Sequence, residues 1–235
     1  MRDVSFLLDE IVDKIDTTIN VSSYSNKRFY TCNTKWIRVG KIVFGKTAGG
    51  ADATSVVTSV VKDTYFEIES ATLVKSVRCP LPFPITGTKL ATNIEWTKAD
   101  TNLLNKTPLI WLLENHDEKL FGIDSPIERE MSWTILFLDE TNIEQYYTKD
   151  HRLQVTEPMI ALEEEFEKVI NNFALYKRLG TFNRKVFSRF GTETENGMYK
   201  NILDANLSGI IITYTVSKYK DACKCYFEIY RTSYR

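Results

Sequence analysis

Residues 156–180 read TEPMIALEEEFEKVINNFALYKRLG and carry the most regular pattern in the chain. Apolar side chains recur there at steps of three and four, which places them on one face of an amphipathic helix. These side chains are Met159, Leu162, Phe166, Val169, Ile170, Phe173 and Tyr176. Thr156 is the predicted N-cap, and Gly180 is the predicted end. At about 1.5 Å per residue, the helix would be roughly 30 Å long, enough to cross a small sheet.

Apolar segments on both sides of this helix predict the sheet on which it packs. Short apolar runs bounded by turn residues are typical of buried strands. The predicted strands are 108–114, 131–139, 185–190, 207–216 and 224–231. A second amphipathic helix of about five turns is predicted from Val4 to Ile19. The stretch 88–107 and the polar segment 115–130 are predicted to be connections.

The region between the first helix and these strands has a different residue composition. Residues 27–78 are rich in Val, Ile, Thr and aromatic side chains, which favour short antiparallel strands. Residues 79–87, CPLPFPITG, hold three of the six prolines and can form neither a helix nor a central strand. The predicted fold class is therefore α+β, with two helices packed on a mostly antiparallel sheet. Its core domain comprises 1–22 and 88–235, and 23–87 is a β-rich insertion, with a separate N-terminal domain as the alternative.

Charge and hydropathy narrow the class of protein. The chain of 235 residues has 30 basic and 31 acidic side chains and a net charge of -1, which excludes a general nucleic-acid coat. No apolar run reaches the roughly 20 residues of a membrane span, and the acidic N-terminal stretch is unlike a signal peptide. We expect a protein that starts out in the cytosol and has no membrane partner.

Two segments together raise the hypothesis of an ATP-binding enzyme. GKIVFGKT, residues 40–47, satisfies the phosphate-loop pattern, and ILFLDE, residues 135–140, resembles an apolar strand that ends in a metal-binding Asp. In that alternative, Lys46 and Thr47 hold phosphates and magnesium, while Asp139 and Glu140 hold metal and activate water. The interior Lys-Ile-Val-Phe is a strand former, however, and no helix is predicted to start at Lys46. We therefore predict a strand and a turn here, and no binding of ATP.

The remaining reactive side chains form no recognisable catalytic pattern. His116 and His151 lie in charged connections, and the three glutamates at 163–165 point in different directions on a helix. Cys32, Cys79, Cys223 and Cys225 include one C-x-C pair without a second pair, which favours reduced thiols over a zinc site. A local basic patch from Lys177 to Arg189 is the one candidate for contact with nucleic acid, and a strand with solvated charges on its outer face is the favoured interpretation of this segment. We predict no catalytic, cofactor-binding or metal-binding residues and no cofactor.

Three segments resemble those of a known group of proteins in their residue pattern and in their order along the chain. They are NIEWTKADTNLLNKTPLIWLLE at 93–114, VTEPMIALEEEFEKVI at 155–170, and NILDANLSGIIITYTV at 201–216 followed by C-K-C. Together they resemble small virion proteins of crAss-like and related tailed bacteriophages, of the kind that form ring, head-to-tail connector or tail-completion proteins. The resemblance covers roughly residues 81–225.

The resemblance implies a structural, non-enzymatic role in a virion neck or tail and a fold similar to tail-terminator proteins. Its implied partners are further copies of the chain in a homo-oligomeric ring, the portal, and adaptor or other neck and tail proteins. A passing contact with DNA in the channel is also implied. The implied location is the virion, after assembly in the host cytoplasm.

Overall fold

The computed structural model describes residues 4–70, 73, 75–98, 106–113, 117–142, 144, 148–172, 176–179, 183–193, 199–203 and 205–219. Strands make up 45% of the structure and helices 22%. The helices are α1 (Val4–Val12), α2 (Lys89–Lys98), α3 (Thr148–His151) and α4 (Glu157–Asn172). A π-helical turn (Arg152–Thr156) joins α3 to α4 without a break. The chain is thus mainly a β protein with one long composite helix.

The first sheet is antiparallel and has six strands. They are β1 (Ser23–Ser25), β2 (Arg28–Tyr30), β3 (Ile42–Lys46), β4 (Asp52–Val61), β5 (Tyr65–Ile68) and β6 (Lys75–Arg78), in the order β1-β2-β5-β4-β3-β6. Side chains alternate between the two faces of a strand, so Phe66 and Ile68 of β5 are buried while their neighbours are half-buried. Phe66 stacks on Phe29 of β2 with ring centroids 5.2 Å apart. This pair anchors one end of the sheet.

The second sheet is built on two long strands and curls into a half-barrel. Its seven strands are β7 (Phe83–Gly87), β8 (Leu109–Leu113), β9 (Asp117–Leu120), β10 (Ile127–Glu140), β11 (Tyr176–Leu179), β12 (Arg184–Phe187) and β15 (Leu207–Tyr219). β10 and β15 pair antiparallel over their whole length. β8 and β9 pair with successive parts of β10, whereas β11 and β12 pair with successive parts of β15. β13 (Gly191–Glu193) and β14 (Tyr199–Asn201) form a separate hairpin.

The composite helix packs against this second sheet. Met159, Leu162, Phe166 and Ile170 are buried in one apolar cluster with residues of α1, the first sheet, β10 and β15. Phe166 meets Phe137 of β10 edge-on at 5.4 Å between ring centroids. The predicted apolar face of the long helix is therefore confirmed up to Ile170. A second apolar cluster lies around Trp96 and Trp111.

The predicted fold class, two helices packed on a mostly antiparallel sheet, is wrong. Some residues that the helical periodicity assigned to helices form hydrogen bonds with strands instead. The first helix ends at Val12, and beyond it Thr18 bridges to Arg78 while the Ile19 N–H bonds to the Val77 carbonyl. Tyr176 was predicted to lie on the long helix but begins β11, which pairs with β15. Apolar spacing alone does not reveal a neighbouring strand that offers hydrogen bonds.

The start of the long helix also differs from the prediction. Thr156 is not an N-cap, because the helix continues back through the π-helical turn to Thr148. Pro158 has no N–H, and its ring would crowd the carbonyl four residues earlier in a regular helix. The preceding turn is wider: the Glu157 N–H bonds to the Arg152 carbonyl, five residues back. The widened turn lets the helix extend past the proline.

Most of the predicted strands are confirmed, and two predicted connections are wrong. β8, β10, β12 and β15 match the predicted apolar runs, and β7, which contains Pro84, is an edge strand that runs parallel to β8. The predicted connection 88–107 contains α2, in which Thr92 and Trp96 bury one face a turn apart. The polar segment 115–130 contains β9. The strand predicted at 224–231 lies outside the described residues.

Candidate functional site

A polar cleft of about 630 Å³ opens where β10 ends. We call it the β10 cleft. Its walls come from the loop that precedes β3, from residues just after β10, and from the segment around Arg189. The lining side chains used below are Arg38, Lys41, Glu140, Thr141, Asn142, Glu144, Arg189 and Asn206. The size of the β10 cleft lies within the range typical of sites for small molecules.

The loop before β3 brings two cations to the β10 cleft. It turns tightly, with hydrogen bonds from the Ile37 N–H to the Thr34 carbonyl and from the Lys41 N–H to the Arg38 carbonyl. Gly40 has φ +83°, a backbone conformation that glycine adopts without strain. Its N–H bonds to the Val57 carbonyl on β4. The turn therefore fixes Arg38 and Lys41 beside the end of β10.

Asp139 of β10 is the buried anion of the site. Its side chain is 1% exposed, with Arg38 Nη1 at 3.1 Å from Oδ2 and Lys41 Nζ at 3.0 Å from Oδ1. The Glu140 N–H donates a further bond of 2.7 Å to Oδ1. Burial acts to raise the pKa of Asp139, but the charges of Arg38 and Lys41 and these hydrogen bonds outweigh it and hold the pKa below its usual value. Asp139 is an anion that fixes both cations.

The two cations also have neutral partners. Arg38 Nη1 donates to the Glu140 carbonyl, and Lys41 Nζ donates to the hydroxyl of Thr107. Lys41 Nζ lies 3.6 Å from the carboxylate of Glu140, which is partly exposed at the rim. Burying charge is tolerated only when such partners are present. The cluster is therefore a rigid, largely desolvated array of charge beside an open cleft.

Several buried polar atoms near the cluster have no hydrogen-bond partner among the described residues. They include Arg38 Nε, the hydroxyl of Thr141 and Nε2 of His151. Burial, with the positive charge of Arg38, lowers the pKa of His151, which favours the neutral ring. In native proteins nearly all buried polar groups are paired, so unpaired donors on the wall of a cleft call for an explanation.

The structure separates the residues that suggested a nucleotide site. The predicted strand in GKIVFGKT is confirmed as β3, with Lys41 just before it and Lys46 at its far end, about 16 Å apart at the rise of a strand. Lys46 Nζ lies 3.4 Å from the carboxylate of Asp52, and Thr47 belongs to the turn that follows. Asp139 is held instead by Arg38 and Lys41. The four residues of the ATP hypothesis therefore do not form one site.

The sequence interpretation missed Arg38 and Lys41. A usable signal was present, since KWIRVGKIV places cations between apolar side chains that must be buried. It also missed Glu163, which is fully buried and accepts bonds from Arg184 and Tyr214.

In the basic patch predicted from Lys177 to Arg189, the described residues 183–189 have two different environments. β12 is largely exposed, whereas Arg189 reaches Asn201 Oδ1 at 3.3 Å and lines the β10 cleft. Cys32 is exposed and Cys79 is buried, both as free thiols. His116, Cys223 and Cys225 lie outside the described residues.

Within the part of the chain that the structure describes, no three His, Cys, Asp or Glu side chains are grouped as a metal ion would require. None of the described helices is long and apolar enough to span a membrane. Comparisons of the chain with protein-family models, with curated proteins and with solved structures give no match. A function must therefore be argued from the residues and surfaces of the chain.

Proposed function

We propose that this chain is a non-enzymatic structural subunit of a tailed-phage virion, where it forms a homo-oligomeric ring in the neck or tail between portal and tail. The observation that carries this proposal is the apolar tip of the β9–β10 hairpin. Leu120 is 73% exposed and Ile123 is 95% exposed, and Phe121 between them is also exposed. Clustered apolar side chains on a surface are typical of sites that contact another protein.

The hairpin is held together by backbone and side-chain contacts between β9 and β10. Leu120 pairs with Arg129, and the Phe121 N–H bonds to the Glu128 carbonyl. Arg129 Nη1 lies 3.1 Å from the carboxylate of Glu118, which ties β9 to β10 by side chains as well. A preformed hairpin loses little conformational entropy when it docks, which favours assembly.

A ring follows from contact between two different patches. When the tip of one copy docks on another surface of the next copy, the contact is heterologous, and it closes into a ring where the rotation permits. The charged residues Asp117, Glu118 and Lys119 on β9 would keep the free subunit from pairing indiscriminately. The isolated chain is expected to be a monomer when each contact is too weak without the portal or an adjoining ring as template. The portal and neighbouring neck and tail proteins are the proposed partners.

The direct test is cross-linking and imaging of purified particles. We expect the chain in intact virions, with cross-links between copies that include the hairpin tip. A phage complemented with Leu120→Ser, Ile123→Ser should then lose the chain from its particles. Ile94→Ser, which changes an exposed apolar residue on α2, is the matched control and should assemble normally. Absence of the chain from wild-type virions, or its presence there only as isolated monomers, would end the proposal.

A further inference from the structure

Two residues that line the β10 cleft each carry a buried donor with no partner among the described residues. Arg38 is 5% exposed and Thr141 is 4% exposed. Within the described chain the Arg38 guanidinium pairs through Nη1, and its Nε has no partner. The hydroxyl of Thr141 is likewise unpaired. Burying these donors without a hydrogen-bond partner is unfavourable, which indicates that a bound molecule accepts hydrogen bonds from them.

The charges around these donors favour an anion. Arg38 and Lys41 are both buried, and Asp139 is the buried carboxylate that faces them. Glu140 is the second carboxylate near Lys41, but its side chain is 40% exposed and 3.6 Å away. The buried part of this cluster therefore has two positive charges, on Arg38 and Lys41, and one negative charge, on Asp139. The guanidinium edge that carries Nε suits the planar geometry of a carboxylate or phosphate oxygen pair.

We propose that the β10 cleft binds a small polar ligand through an oxyanion, a phosphate or a carboxylate group, which accepts hydrogen bonds from Arg38 Nε and Thr141 Oγ1. The volume of about 630 Å³ leaves room for more than the oxyanion itself. The amides of Asn142 and Asn206, the carboxylates of Glu140 and Glu144 and the guanidinium of Arg189 line the rest of the β10 cleft. The amides and carboxylates suit hydroxyl groups. The described lining contains no aromatic ring on which a nucleobase could stack. The ligand class is thus a hydroxylated small acid or a sugar phosphate.

This site does not depend on the ring assembly, and its test uses the full chain alone. Isothermal titration in a chloride buffer of constant ionic strength would compare glucose 6-phosphate and inorganic phosphate with gluconate and citrate. Glucose serves as the neutral probe. We expect saturable binding of one molecule per chain for at least one oxyanion and no heat of binding for glucose. Comparison of the two phosphate probes with the two carboxylate probes then shows which group the site prefers.

Two variants tie the binding to the named donors. Thr141→Val removes an unpaired buried hydroxyl, so it should fold at least as well as the parent while it weakens oxyanion binding about tenfold. Arg38→Lys keeps a cation for Asp139 but lacks Nε, and it should weaken binding at least as much. Thr54→Val on the exposed face of β4 is the matched control and should bind normally.

Two results would overturn the assignment. In the first, none of the four oxyanions binds the parent protein, so that the cluster only links the loop before β3 to β10. In the second, Thr141→Val binds as tightly as the parent, so that the oxyanion sits elsewhere. Both outcomes leave the ring proposal untouched, because neither involves the hairpin tip.

Discussion

The hydroxyl of Tyr214 on β15 donates a hydrogen bond to Oε1 of Glu163 on α4, and both residues are fully buried. Arg184 on β12 donates to the other oxygen, Oε2. One helical carboxylate thus joins two strands of the second sheet to the helix that covers it. An ionised side chain is tolerated in such a place only because both of its oxygens have donors.

Removing either donor should therefore destabilise the fold. Tyr214→Phe leaves Oε1 without its partner and should lower the free energy of unfolding by about 1–3 kcal/mol. Arg184→Gln leaves a buried charge without its cation and should cost about 3–5 kcal/mol. Urea unfolding followed by circular dichroism measures both changes. Lys168→Gln, which removes an exposed cation paired with the half-buried Glu165, is the control and should change stability by less than about 1 kcal/mol. Equal effects in all three variants would contradict the role given to Glu163.

A glycine on β15 should be intolerant of any side chain. A Cβ atom at Gly209 would lie 1.9 Å from the carbonyl oxygen of Phe137 on the paired strand β10. Gly209→Ala should therefore force β10 and β15 apart and lower stability by at least about 2 kcal/mol. Gly49→Ala is the matched control, because its Cβ meets nothing closer than 3.8 Å. Thermal unfolding of the two variants should differ clearly, and similar melting temperatures would show that the strand contact is looser than described.

The Asp139 cluster should make the protein sensitive to acid. The pKa of Asp139 in the folded chain lies below its ordinary value of 3.8, so the unfolded chain takes up the proton first as the pH falls. Its stabilising effect is complete above that ordinary value and is lost as the pH falls through the folded pKa. Asp139→Asn should remove this dependence and leave two buried cations without an anion, at a cost of about 3–5 kcal/mol at pH 7. Unfolding free energies from pH 7 to pH 2 for both proteins test this, and parallel curves would refute it.

The two described cysteines should differ in reactivity. Burial raises the pKa of the Cys79 thiol to about 12, whereas Cys32 is exposed. Because the thiolate is the reactive form, iodoacetamide at pH 8 should label Cys32 in the native protein and leave Cys79 unlabelled until unfolding. Peptide mass spectrometry distinguishes the sites. Early labelling of Cys79 would mean that the core around it opens readily.

All four cysteines are predicted to be reduced and free of metal, and stoichiometric zinc would contradict that.

Lys46 should have no role in binding nucleotides. It ends a strand and lies beside Asp52, far along β3 from the Asp139 cluster. Titration with ATP and magnesium should give the same result for the parent and for Lys46→Ala. A micromolar affinity that disappears with Lys46→Ala would restore the ATP-binding alternative.

Local pattern in the sequence was enough to predict several elements. The steps of three and four from Met159 to Ile170 predict a helical face, because helical geometry places those positions side by side. The apolar runs that became β8, β10 and β15 were predictable for a similar reason, since such runs must be buried. The β-branched interior of GKIVFGKT predicted a strand where the glycine spacing resembles a phosphate loop.

Tertiary structure decided the features that depend on distant partners. Tyr176 continues a helical pattern, but β15 offers it strand hydrogen bonds, and Ile15 and Ile19 are buried without being helical. Arg38, in the turn before β3, contacts Asp139 near the end of β10, although about a hundred residues of chain separate them. Side-chain type shows that a charge must find a partner if it is buried, but only the path of the backbone determines which partner it meets.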